Sequence, residues 1–259
     1  MSTRLVAVLL LFVVVVAAPG VASAQMSRQA LLAQGVNLEK QWGIGLVYYH
    51  QTQPYEIATL ALGLPGFDPS LASNIGIDSK ARTMHAVLDY WALPFLNFEA
   101  EAGNIDGSTD VGLSQVNIGI PLGDIKVDYS GFFYGAGFTL AGGGRRCFGS
   151  VTVQYENTKL DQESSSVTAW VFTPRVGMNV GRYSSLFVGG MYQDPNEKHQ
   201  GLYTIPGLGT VPYDVTLAAK FKWNYIAGAY LGLTEHWRLN IEAGFGDRDS
   251  YQAYLCYRW

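Results

Sequence analysis

The stretch Trp237-Arg238-Leu239-Asn240-Ile241-Glu242-Ala243-Gly244-Phe245-Gly246 decides the fold. Trp237, Leu239, Ile241, Ala243 and Phe245 share one face, and Arg238, Asn240, Glu242 and Gly244 share the other. Side chains alternate along a strand, so a strand sorts these residues by polarity and a helix does not. The pattern continues downstream, where Tyr251, Ala253, Leu255, Tyr257 and Trp259 oppose Gln252, Tyr254, Cys256 and Arg258. Upstream, Phe221, Trp223, Tyr225, Ala227, Ala229, Leu231 and Leu233 oppose Lys222, Asn224, Gly228 and Gly232. Val151, Val153 and Tyr155, and again Leu96, Phe98 and Ala100, repeat the apolar face. The best helical candidate, Met26 to Lys40, is too short to cover such a sheet.

Composition narrows the function classes. The chain has 259 residues, 48% of them hydrophobic and only 15% charged. A disordered chain needs far more charge. A formal net charge of −4 without a basic block argues against a nucleic-acid binder. Two cysteines exclude a disulfide scaffold and a multi-cysteine zinc module. No metal-ligand cluster or phosphate-binding glycine loop is evident. Gly142-Gly143-Gly144 precedes arginines and a strand, so it reads as a turn. No cofactor is expected.

The first residues form an export signal. Arg4 precedes an unbroken apolar run from Leu5 to Ala18, and Ala22-Ser23-Ala24 fits a cleavage site. The run falls short of the ~20 residues a spanning helix needs. The division is therefore a signal peptide at 1–24, a short periplasmic segment at 25–40 and one β domain at 41–259.

Two architectures bury alternating faces: a soluble sandwich and a closed barrel with its apolar face in lipid. Strand length, connection length and tryptophan placement favour the barrel. Ten strands are expected, at 41–53, 81–92, 95–104, 125–140, 146–157, 167–179, 184–193, 220–233, 236–246 and 250–259. Many exceed the 5–6 residues usual in soluble sheets. Connections 54–80, 105–124 and 194–219 are long, whereas those at 93–94, 141–145, 180–183 and 234–235 are short. Outer-membrane barrels pair long extracellular loops with short periplasmic turns. Residues 112–120 also alternate, which leaves twelve strands as an alternative to ten. Trp42, Trp170, Trp223, Trp237 and Trp259 fall at the membrane boundaries and form an aromatic girdle, while Trp91 points inward with Asp89.

The Ala22-Ser23-Ala24 signal, the alternating strands and the terminal Tyr257-Arg258-Trp259 resemble bacterial outer-membrane β-barrel proteins. The resemblance covers residues 41–259 and implies an all-β, antiparallel transmembrane barrel in a Gram-negative cell envelope. It also implies contact with outer-membrane lipids and lipopolysaccharide. By the same resemblance the barrel-assembly machinery reads Tyr257 and Trp259 as the assembly signal, although a terminal phenylalanine is commoner. Some relatives are porin-like channels, and others are proteases, lipid A deacylases, acyltransferases or phospholipases.

A barrel turns its charges inward, because Lys or Arg on the lipid face costs about 2–4 kcal/mol at mid-bilayer. The expected lumen charges are Asp89, Glu99, Glu101, Asp128, Glu156 and Glu242, against Lys126, Arg175, Lys222, Arg238 and Arg258. They line a narrow passage for a small solute or form a packed network of ion pairs. The leading function is thus non-enzymatic, a narrow solute channel or an envelope-structural, loop-display barrel. A lipid- or peptide-processing enzyme is the alternative from another class, and a soluble periplasmic sandwich is the third. His50, His85, His199 and His236 have no partner that the sequence identifies, so no catalytic residue is assigned. Cys147 and Cys256 point to opposite faces of distant strands and are expected to be free thiols. The apolar run 57–62 lies in the first long loop, and 201–217 suggests a hairpin above the membrane, turned at Pro206-Gly207-Leu208-Gly209.

Overall fold

The computed structural model describes residues 38–62, 75–112, 125–161, 165–181, 183–205 and 209–259. The signal at 1–24, most of the segment 25–40 and residues 113–120 of the possible extra strand lie outside them.

Among the described residues there are eleven strands: β1 Trp42–Leu62, β2 Ile77–Leu93, β3 Leu96–Val111, β4 Ile125–Gly143, β5 Cys147–Leu160, β6 Ser166–Asn179, β7 Ser185–Ile205, β8 Gly209–Ala219, β9 Trp223–Gly232, β10 Trp237–Phe245 and β11 Asp249–Arg258. All pairings are antiparallel. Pairing runs β1 to β7 in chain order, then β7 to β9, β10 and β11, and β11 returns to β1 over Gly43↔Arg258 to Thr52↔Asp249. Ten strands therefore close one ring, as expected, and no sandwich forms.

The eleventh strand, β8, sits elsewhere. It pairs with the outer half of β7 from Asn196↔Ala218 to Ile205↔Gly209, and with the outer half of β1 from Tyr55↔Ala219 to Leu62↔Tyr213. Beyond the tips of β9, β10 and β11, β8 takes their place in the wall. The ring closes there with eight strands and makes a narrower neck. Much of what reads as loop is strand: β1 extends to Leu62, β2 starts at Ile77, and residues 201–205 of β7 pair with 209–213 of β8, while residues 206–208 of the expected turn lie outside the described residues. Odd and even connections keep their sides, because β8 adds no crossing.

Two environments explain the burial. Around the ten-strand ring, large apolar side chains face outward: Ile44, Leu46, Met84, Leu88, Phe98, Phe132, Phe138, Val176, Leu186, Val188, Ile241 and Leu255 are all exposed. Polar side chains face in. A wall built this way is stable only against lipid. The neck is ordered the opposite way. Tyr55, Ile77 and Leu217 pack inside it with Ile57, Ile75, Val111 and Val215. The five girdle tryptophans face outward, each between 41% and 58% exposed. Tight turns end the side opposite the neck, with Gly144 N donating to Cys147 O at 2.8 Å and Val180 N to Ser184 O at 2.9 Å.

Candidate functional site

The interior of the ring is the candidate site, and it has three levels. The level farthest from the neck is a network around Asp89. Arg258 Nη2 donates to Asp89 Oδ1, as does Asn97 Nδ2 at 2.8 Å, while Tyr254 OH reaches Oδ2 at 3.2 Å. Arg258 Nη1 also donates to Lys40 O at 3.0 Å, and Glu39 accepts from Arg238 Nε at 3.3 Å. Register explains the placement, because Gly43 pairs with both Asp89 and Arg258. A Cβ on Gly43 would collide with the Asp89 carboxylate, so the missing side chain makes room for the ion pair.

The middle level holds Arg175, with Nε and Nη2 on Glu242 Oε2 at 2.9 and 2.8 Å. The guanidinium lies 5.5 Å from the centre of the Phe187 ring, which packs on Tyr230 at 4.7 Å. Val171, Phe187, Met191 and Ile226 form an apolar cluster beside it. Paired charges and rings thus occupy the lower half of the lumen.

The outer level is a chamber of about 130 Å³. Its polar lining includes Tyr49, Gln51, His85, Glu101, Gln154, Glu156, Gln193 and Glu197, and its apolar lining includes Phe133, Leu160, Val167 and Met191. One histidine–glutamate pair, His85 and Glu101, lines it, and Glu197 of a second pair lines it without its histidine. His85 Nε2 lies 3.3 Å from Glu101 Oε2, and Thr83 Oγ1 lies 3.2 Å from His85 Nδ1. His199 Nε2 lies 2.6 Å from Glu197 Oε1, and Ser165 Oγ lies 3.1 Å from His199 Nδ1. Glu101 Oε1 is buried and has no partner among the described residues.

Where β8 replaces β9 to β11, the β10–β11 turn tucks Arg248 into the wall. Gly246 takes φ +120°, a conformation that favours glycine, to make that turn. Arg248 is 1% exposed and donates from Nη1 to Gln193 Oε1 at 2.5 Å. Its Nε and Nη2, and the side-chain amides of Gln53 and Asn224, are buried without partners among the described residues.

Asp89, Glu99, Glu101, Glu156, Arg175, Arg238, Glu242 and Arg258 all lie in the lumen or at its mouth opposite the neck, and Trp91 points inward. Three expected lumen charges do not. Lys126 and Asp128 are on the outer face of β4, with side chains 62% and 80% exposed, and lie 3.9 Å from each other. They belong to the neck, whose outside meets water, so an outward charge costs nothing there. Lys222 precedes β9 at the outer rim and pairs outside the wall with Asp194 at 2.6 Å. The sequence also missed Arg248, the Glu197 pair and the partners of the histidines. His50 faces outward and stacks on Tyr251 at 4.8 Å, and His236 Nδ1 lies 2.7 Å from Arg258 O. Glu101 sits one rung from His85, since Val87 pairs with Glu101. Strand register was the missing information. Cys147 is exposed, Cys256 is buried, and both are free.

No protein-family model matches this sequence, and no curated protein matches it. Solved structures do. The outer membrane protein OprG of Pseudomonas aeruginosa is 11% identical, with a TM-score of 0.51, covering 86% of this chain and 99% of its own. The translocator domain of the autotransporter NalP from Neisseria meningitidis is 12% identical, with a TM-score of 0.44, over 95% and 99%. The outer membrane protease OmpT from Escherichia coli is 8% identical, with a TM-score of 0.46, over 85% and 97%. The fold is that of bacterial outer-membrane β-barrels. At these identities the likeness is one of fold alone, and the three differ in kind: an outer membrane protein, a translocator domain and a protease.

Proposed function

We propose that this protein is a narrow solute-passage barrel of the outer membrane, closed at rest. The observation that carries the reading is the outer chamber: a space inside the wall lined by both polar and apolar side chains, with the Asp89–Arg258 network below it and the apolar neck above. Glu101, Glu156 and Glu197 line it, so small cations and uncharged polar solutes are favoured over anions. In this reading residues 1–24 direct export, Tyr257 and Trp259 present the last strand for assembly, and the apolar belt contacts membrane lipids and lipopolysaccharide.

Single-channel recording of the refolded mature chain in a planar bilayer tests it. We expect small discrete steps with cation preference. Glu101→Gln and Glu156→Gln each reduce that preference. A folded, heat-modifiable protein without steps at any voltage refutes passage and leaves an envelope-structural barrel.

A further inference from the structure

Ser165, His199 and Glu197 meet at the edge of the chamber, and solute passage does not use their arrangement. They come from one ladder. Val167 pairs with Glu197 and Ser166 with Lys198, so Ser165 and His199 continue the next rung on the face shared by Val167 and Glu197. Both of those line the chamber, and Ser165 and His199 lie one rung beyond the lining on that face. Glu197 Oε1 takes the Nε2–H of His199 at 2.6 Å, which leaves the Nδ1 lone pair for the Ser165 hydroxyl at 3.1 Å. Glu197 and His199 side chains are only 7% and 16% exposed, so the pair is sheltered from water. Nucleophile, base and orienting carboxylate thus stand in the order that acyl transfer needs. The Tyr55 phenol lines the same chamber, and the Tyr129 phenol there is held by Lys80 O at 3.5 Å and Ser79 Oγ at 3.2 Å. The second set, Thr83, His85 and Glu101, is weaker, with longer contacts and a hydroxyl two residues from its histidine on the same strand.

We propose that the chamber hydrolyses small carboxylic esters, with Ser165 as nucleophile, His199 as general base and acid, and Glu197 as the positioning residue. Ser165 Oγ attacks the ester carbonyl carbon and its proton passes to His199 Nδ1. The tetrahedral intermediate collapses, the carbon–oxygen bond to the alcohol breaks, and the alcohol leaves with the proton from His199. Water then attacks the acyl-serine and gives its proton to Nδ1. The acid departs, and Ser165 recovers its proton. The balance is ester plus water to acid plus alcohol, with no other reactant. A chamber of about 130 Å³ takes short acyl groups and excludes phospholipid chains.

The inference rests on one part of the passage reading, that small solutes reach the chamber from outside. The test uses the refolded mature chain with p-nitrophenyl acetate, p-nitrophenyl palmitate and diisopropyl fluorophosphate. We expect turnover of the acetate but not the palmitate, and a single phosphoryl adduct mapped to Ser165. Ser165→Ala and His199→Ala each lower turnover about 100-fold or more and remain heat-modifiable. Glu197→Gln lowers kcat and shifts its pH profile, which a structural role alone would not do. An adduct elsewhere, unchanged turnover in Ser165→Ala, or neither turnover nor adduct overturns the proposal. Turnover without conductance keeps the hydrolase and refutes passage, and conductance without turnover does the reverse.

Discussion

Asp89 shows what a single residue carries. Its carboxylate accepts from Arg258, Asn97 and Tyr254, all inside the wall. Removing one partner of a buried pair strands the other, at about 3–5 kcal/mol. Arg175→Met should therefore lower the urea midpoint of unfolding sharply by leaving Glu242 unpaired. Arg175→Met with Glu242→Leu should recover most of the loss, because the apolar cluster around Phe187 can surround both. The cysteines give a cheaper check. In the folded protein a maleimide should label Cys147 quickly and Cys256 only after unfolding, since Cys256 is 1% exposed. Alternation alone indicated which way Asp89, Arg175 and Cys256 point. It could not indicate what they meet. The Arg175–Glu242 contact joins β6 to β10 across the lumen, and no local pattern encodes a span between strands that are not neighbours.

At the scale of elements, the ten ring strands were legible because each crosses from one boundary to the other and so alternates over its whole length. β8 was legible only as half of a hairpin. Its second partner, the outer half of β1, is some 150 residues away in sequence, and nothing near Gly209–Ala219 points to it. Replacing 197–217 by a short turn should leave a heat-modifiable ring, since β9 to β11 already close the wall between β7 and β1. The same deletion should raise conductance by removing the neck, and planar-bilayer recording reads both the size and the frequency of the steps. Arg248→Ala belongs to this scale too. It removes the side chain that fills the junction of β8 with the β10–β11 turn, so open time should lengthen while step size stays nearly constant.

The whole molecule is two sheet proteins stacked end to end with opposite polarity. The ring is apolar outside and polar inside, and the neck is polar outside and apolar inside. β4 carries the reversal within one strand: Phe132, Tyr134 and Phe138 face lipid, while Lys126 and Asp128 share that face above it. A reading that assumes one environment for a whole strand assigns those two charges to the lumen. Leu46→Arg should cost about 2–4 kcal/mol, if Leu46 lies near mid-bilayer. Lys126→Ala should leave stability within about 0.5 kcal/mol. Equilibrium unfolding in urea with lipid vesicles measures both. The double use of β1 bears on assembly order. Its outer half is sealed by β8 and its inner half by β11, and β8 leaves the translocating chain before β9, β10 and β11 do. Each half of β1 thus has its own seal, β8 at the neck and β11 in the ring, so the last strand is needed for the wide wall and not for the narrow one.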